Sequence, residues 1–412
     1  MTVGESAAAS HLGALRHRGF RVFALSRVLA PVAAGIVTVA VGWQVYDLTH
    51  NPFDLGLLGL AQFTPALFLV LVTGAVADRF DRRLVTSLCL AAEGTCAATL
   101  FLLAASGTIT VGAIFAVLVA LGTARAFFRP VSQSLLVNLV PPEDLGSAIA
   151  WSSSSFQFST IFGPVAGGLL YGISPEAAYG TASVLILVAA ALLLTVPKPR
   201  QDVVREPPGW SSLVAGFRYV WNEKIILGAI SLDLFAVLLG GANAMLPAYA
   251  QDILATGPWG LGLLRGAPAV GALAVAVTLS VRPLRSRAGL TMFAMVAVFG
   301  LGTIVFGSSR SVWISVAALA VMGGADQFSV FIRQTLVQIW TPDAVRGRVS
   351  AVSYIFIGAS NELGEFRAGT VAVLIGLVPA VVFGGIGTLA VAALWAWLFP
   401  ALRKADSLYR RT

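Results

Sequence analysis

Ionisable side chains interrupt the apolar stretches of this chain, among them Glu93, Arg125, Asp233, Asp326, Glu362 and Glu365. A charge in hydrocarbon is expensive, so such groups are by default candidates for carrying protons, ions or polar cargo. Glu362 and Glu365 stand one helical turn apart and share a face on a helix. Two carboxylates that close in low dielectric do not both ionise easily, which suits them to share a proton. The alternative is that Arg367 or Arg265 neutralises one of them. Asp326 and Asp233 are two further proton-site candidates. Glu93 needs a partner that the sequence does not identify. Arg129 and Arg333 fall toward the ends of their stretches, where anchoring to headgroups or loop acids accounts for them better than ligand binding does.

The elements that must position these groups are membrane helices. The chain has 412 residues, of which 57% are hydrophobic and 11% charged, and its mean hydropathy is +0.86. Soluble domains carry about 25% charged residues, and a water-soluble core of this length could not hide so much apolar surface. A span needs about 20 mostly apolar residues. On that criterion twelve are expected: 21–48, 54–77, 84–105, 109–138, 145–172, 177–196, 222–250, 259–282, 288–308, 311–340, 345–372 and 376–400. The polar stretch 197–221 reads as a linker between two six-helix bundles, 21–196 and 222–400, with tails at 1–20 and 401–412. Within the linker, Leu213, Val214 and Phe217 have the spacing of a helix lying on the membrane surface.

The net charge of +8 fits the enrichment of Arg and Lys on the cytoplasmic side of membrane proteins. It does not form the basic, aromatic-interleaved patch of a nucleic-acid binder. Alternate loops carry Arg16, Arg18, Arg79, Arg82, Arg83, Lys198, Arg200, Arg205, Arg282, Arg285, Arg287, Arg346, Arg348, Arg403, Lys404, Arg410 and Arg411. The other loops carry Asp47, Asp54, Glu176 and Asp252, with Arg310 as their cation. The asymmetry places both termini in the cytoplasm. Cys89 and Cys96 fit neither a disulfide framework nor zinc spacing. His11, His17 and His50 lie outside span interiors, which disfavours a histidine relay or an intramembrane metal triad. No phosphate-binding loop is present. No cofactor and no enzymatic activity are expected.

Between the second and third spans, Gly74 is followed four residues later by Asp78 and Arg79, then Phe80, Asp81, Arg82 and Arg83. This resembles the signature loop Gly-x-x-x-Asp-Arg-x-Gly-Arg-Arg of the major facilitator superfamily. The family carries Gly where this chain has Asp81, an added acid able to rearrange the loop. The halves also look related: Pro142, Glu143, Leu145 and Ile149 reappear as Pro342, Asp343, Val345 and Val349, and the run Leu55, Gly56, Leu57, Leu58 as Leu261, Gly262, Leu263, Leu264. Parallel six-helix repeats are how that superfamily is built. Residues 20–27, 213–219 and 341–348 further resemble its enterobactin-exporter-like branch.

The resemblance implies an all-α membrane protein with twelve transmembrane helices in two pseudo-symmetric bundles, working by alternating access. It implies that Gly74, Asp78, Arg79, Arg82 and Arg83 form a conformational latch, with Asp78 near the start of the eleventh helix and the arginines on lipid phosphate or nearby carboxylates. The plainer alternative is a solvated, positively charged loop. In this fold the first, fourth, seventh and tenth helices line a central cavity, so Arg125 and Asp326 are expected to face it. They would either pair across it when it is empty or form a permanent structural pair. Trp43, Gln44, Asn243 and Tyr249, toward the outer ends of the first and seventh helices, are expected substrate contacts, or else interfacial belt residues. The resulting expectation is a monomeric, proton-coupled exporter of the bacterial inner membrane. Its partners would be a small amphipathic molecule such as a siderophore or drug, protons and the lipid bilayer. The alternatives are uptake, a lysolipid or other solute, or a non-transporting sensor or scaffold with the same fold.

Overall fold

Asp81 shows how local chemistry sets the elements. Its side chain accepts hydrogen bonds from the backbone amides of Arg83 at 3.0 Å and Leu84 at 3.4 Å, capping the third span. A carboxylate there satisfies amides that have no partner within the helix. Thr110 does the same for the fourth span through Ala113, and Ser174, followed by Pro175, for the sixth through Ala177. The structure is a computed structural model that describes residues 13–196, 210–282, 284 and 287–404. Within its helices the side chains of Gly74, Asp78, Arg79 and Arg129 lie outside the described residues.

Twelve long helices follow one another among the described residues. The first six are Arg18–Thr49, Pro52–Arg79, Arg82–Ala105, Val111–Val137, Leu145–Ile173 and Pro175–Leu194. The rest begin with Lys224–Gly240 and its continuation to Ile253, followed by Gly257–Val281, Ala288–Ser308, Val312–Trp340, Asp343–Ile375 and Leu377–Leu398. Ten are long and apolar enough to cross a membrane by length and composition alone. The fifth and eleventh are long enough but more polar, carrying a serine-rich run and the Glu362–Arg367 cluster respectively.

The chain divides into two units, Met1–Leu48 with Ala61–Pro207, and Thr49–Leu60 with Pro208–Thr412. Each is assembled by glycines that let backbones meet, the usual device where lipid provides no hydrophobic drive between helices. In the first unit a Cβ on Gly35 would lie 2.9 Å from the Gly163 backbone, and one on Gly167 would lie 2.8 Å from Ile36 Cα. These contacts join the first and fifth spans. Gly122 leaves no room for a Cβ against the backbone of Gln62, joining the fourth span to the second. The second unit repeats both pairings. Gly364 faces Val237 and Leu238 across the seventh and eleventh spans, and Gly271 and Gly323 bring the eighth and tenth together. The third span packs extensively on the sixth, and the ninth on the twelfth.

The seventh span departs from the single helix expected over 222–250. It stops at Gly240, makes a 3-10 turn over Asn243–Met245, and resumes as a short helix ending in a π-turn at Tyr249–Ile253. A Gly240–Gly241 pair is a common site for such a break. Side chains donate to two carbonyls of its last turns: Thr388 through its hydroxyl to Ala236 O at 3.0 Å, and Arg367 to Leu239 O at 2.5 Å. Before this span the linker ends in a helix, Trp210–Asn222. Its Tyr219 hydroxyl donates to Trp340 O at 3.2 Å, and Phe217 stacks on Phe356, while Val214 and Trp221 stay exposed. Residues 197–209 lie outside the described residues.

Candidate functional site

The second unit contains a buried polar centre between its seventh and tenth spans. Asp326, Ser329 and Arg333 recur at three- and four-residue spacing and so line one face of the tenth helix. Across from them, Asp233 forms an ion pair with Arg333, both almost wholly buried. This corrects the reading of Arg333 as a headgroup anchor. Its position near the helix end suggested snorkelling, but packing against the seventh span turns the side chain inward to a carboxylate. Asp233, Asp326 and Ser329 border a cavity whose other walls include Val237, Met295 and Phe299. Its volume is about 10 Å³, near the smallest that holds one water. The Ser329 hydroxyl is buried and has no partner among the described residues. Two carboxylates therefore share one guanidinium, and the centre is one positive charge short of neutral when both acids are ionised.

In the first unit Arg125 and Glu93 form a pair. Arg125 donates through Nε to Glu93 Oε2 at 3.3 Å and through Nη1 to Gln62 Oε1 at 2.8 Å. Glu93 is buried, and Arg125 is the partner that the sequence left open. Gly122 brings the second and fourth spans close enough for Gln62 to reach the Arg125 guanidinium. Gln62 was not singled out from sequence, although a lone amide in an apolar run was the available signal.

On the eleventh span, Glu362 and Glu365 sit over Gly59, the glycine of a second-span segment that groups with the second unit. The Glu362 carboxylate occupies the place a Cβ on Gly59 would take, and Glu365 Oε2 lies 3.1 Å from it. Arg265 acts electrostatically on Glu365, whereas Arg367 is turned to the Leu239 carbonyl at the seventh-helix break. Of the two cations considered for neutralising this pair, Arg265 is the one in place.

The model of the Major Facilitator Superfamily matches residues 23–364. The chain belongs to this superfamily. Along nearly its whole length it is similar to the enterobactin exporter EntS of Citrobacter koseri, with 27% identity over 94% of this chain and 93% of that protein. The same exporter from Escherichia coli is 26% identical over the same shares. Among solved structures it shares its fold with a bacterial homologue of the human lysosomal transporter Spinster, at a TM-score of 0.71 and 14% identity, covering 93% of this chain and 95% of that one. A bacterial homologue of the iron transporter ferroportin matches at a TM-score of 0.70 and 18% identity, over 94% and 98%.

In this multi-pass membrane transporter the loop after the second span is only partly described. Gly74, Asp78 and Arg79 lie outside the described residues as side chains, although the helix runs on to Arg79. Arg82 Nη1 donates to Asn138 Oδ1 at 2.8 Å, at the end of the fourth span. Arg83 Nη1 donates to the carbonyls of Val196 at 2.8 Å and Leu194 at 3.4 Å, at the end of the sixth. Cations at helix C-termini meet unpaired carbonyls there. Through these contacts the two arginines fasten the third span to its neighbours.

The four expected substrate contacts divide. Gln44 Oε1 accepts the Tyr179 hydroxyl at 2.6 Å with both groups buried, and Trp43 is buried beside it in sequence. Tyr249 donates its hydroxyl to Gly307 O at 3.0 Å and lies against Phe306 with ring centroids 4.7 Å apart. Gln44 and Tyr249 therefore bond helices together within their units, because tight packing buries their polar tips on a neighbour. Asn243 is exposed, in the turn at the seventh-helix break.

Proposed function

We propose that the chain is a secondary active exporter of the bacterial inner membrane that expels a small amphipathic molecule, of the siderophore or drug kind, by proton antiport. It works as a monomer with both termini in the cytoplasm, and two bundles, residues 21–196 and 222–400, alternate access around the cargo. The observation that carries the coupling is the centre of Asp233, Asp326 and Arg333. One proton would bring it to neutrality, and a buried centre left with unpaired charge is strongly disfavoured. The unpaired Ser329 hydroxyl and the adjoining cavity offer a route for that proton through a single water. Export and a siderophore-like cargo are supported by the relatives' name, enterobactin exporter.

The decisive experiment is flux in proteoliposomes under an imposed pH gradient. Wild-type protein is expected to move cargo against its gradient when protons flow the other way. Asp326→Asn is expected to abolish gradient-driven transport while leaving exchange or binding measurable. A second coupling site, Glu362 and Glu365, is favoured by two carboxylates lying close together over Gly59 with Arg265 acting on one of them. Unchanged gradient-driven transport in Asp326→Asn, with loss in Glu362→Gln or Glu365→Gln, would assign coupling there. Accumulation in the opposite sense would mark uptake. Absence of flux across a chemically broad panel that includes a lysolipid would leave the sensor or scaffold reading.

A further inference from the structure

Arg27 sits in the first span about 13 Å along the helix from Arg18, at about 1.5 Å per residue. Its guanidinium points between the fourth and fifth spans, where Nη1 lies 3.5 Å from Ser132 Oγ and Nη2 lies 3.4 Å from Ser152 Oγ. Both serines are buried, and by the same rise each lies about 8–10 Å inside the end of its helix. The two contacts are long, at the outer limit of hydrogen bonding. Nε is buried with no partner. Among the described residues no carboxylate lies within 4 Å of Arg27 to form an ion pair. The neighbouring polar groups are already engaged. Ser26 donates to Ala189 O at 3.2 Å, and Ser159 donates to the carbonyls of Val28 at 3.1 Å and Ser155 at 2.8 Å.

Three other buried charges meet an opposite charge: Arg125 has Glu93, Arg333 has Asp233, and Glu365 has Arg265, while Arg367 turns to a backbone carbonyl. Arg27 has two hydroxyls at long range. A guanidinium within a membrane helix bundle is costly unless an anion meets it. It presents a rigid fork of donors that matches an acid group in two-pronged fashion. The flanking serine hydroxyls can each turn to donate to a bound oxygen, because a hydroxyl is donor and acceptor at once. The side chain is only partly buried, so an acid can approach it.

We propose that Arg27, with Ser132 and Ser152, binds the acidic oxygens of the cargo, so that the cargo is an organic acid and not a neutral or cationic amphiphile. This rests on the export reading for the existence of a cargo and narrows its chemical class. Iron chelators and many small amphiphiles carry such oxygens as carboxylates or acidic phenols. A phospholipid phosphate offers the same chemistry, and the test separates the two.

The test is binding to the purified full-length transporter in nanodiscs of pure phosphatidylcholine, with salicylate and 2,3-dihydroxybenzoate as probes and their uncharged amides as matched controls. Wild-type protein is expected to bind the acids at least about tenfold more tightly than the amides, about 1.4 kcal/mol. Arg27→Gln is expected to bring acid and amide to parity, and Arg27→Lys to retain part of the preference because a point charge replaces the fork. Ser132→Ala with Ser152→Ala should weaken acid binding severalfold and leave amide binding unchanged. This variant keeps the question answerable if Arg27→Gln fails to fold. An acid preference that survives Arg27→Gln, or that is absent from wild type, would overturn the proposal. So would loss of acid binding in phosphatidylglycerol nanodiscs together with an Arg27-dependent thermal stabilisation by that lipid, which would assign the site to a headgroup. Binding is read without a gradient, so a failure of export or coupling leaves this result standing, and the reverse also holds.

Discussion

At the scale of the residue, Asp233 and Asp326 do different work although they share one cavity. Asp233 is the acid in direct contact with Arg333, so removing its charge breaks a buried ion pair and leaves only the more distant Asp326 to balance the guanidinium. Asp233→Asn is therefore expected to destabilise the folded transporter by about 3–5 kcal/mol, read as a fall in thermal midpoint in detergent. Combining it with Arg333→Met should recover much of the loss, and no recovery would show that the two side chains act independently. Among the described residues Asp326 forms no direct ion pair, and it borders the cavity. Asp326→Asn should fold normally and fail in proton-driven flux, so a large drop in its thermal midpoint would contradict the division of roles. In the first unit, Arg125→Gln removes the cation paired with Glu93, which is 5% exposed, and is expected to cost stability on the same scale.

At the scale of the element, glycines decide which helix faces meet, and their replacement reads out those meetings. Gly35→Leu should disrupt the crossing of the first and fifth spans, because its Cβ alone would stand 2.9 Å from the Gly163 backbone. Overpacking of this kind costs about 1–3 kcal/mol or more, and the expected outcome is a marked loss of folded protein on size-exclusion chromatography. Gly59→Ala makes a contrasting prediction. The three atoms nearest the added methyl belong to the Glu362 and Glu365 carboxyl groups, so folding should survive while Glu362 is displaced. Transport is the sensitive readout there, and unaltered flux would remove the Gly59 seat from the working parts. Asp81→Ala takes away the cap of the third span and should cost about 1 kcal/mol. The acid that departs from the family loop pattern thus has a local role in holding a helix start.

At the scale of the whole molecule, the charge map makes a prediction about sidedness. With Cys89 and Cys96 replaced by Ser, a Thr108→Cys variant should react with a membrane-impermeant maleimide in intact cells. A Glu143→Cys variant should react only after permeabilisation. The reverse pattern would invert the orientation, because the positive-inside excess of Arg and Lys is the argument for it.

Much of this architecture was legible along the chain. Hydropathy marked the twelve spans, and the run around Asp78 to Arg83 pointed to the superfamily whose model covers residues 23–364. The candidate site was legible only as a set of misplaced charges. Glu93 had no visible partner, Arg333 looked like an anchor, and Gln44 and Tyr249 looked free. Span number, family and charge asymmetry are properties of consecutive residues, so the sequence by itself determined them. Partnership between Arg125 and Glu93, between Asp233 and Arg333, or between Arg27 and two serines depends on which faces of distant helices come together. That was decided by tertiary packing, as where Gly35 lets the first span approach the fifth, which carries Ser152. In hydrocarbon a charge is stabilised only by what its neighbours present, so the chemistry of each site waited on that packing.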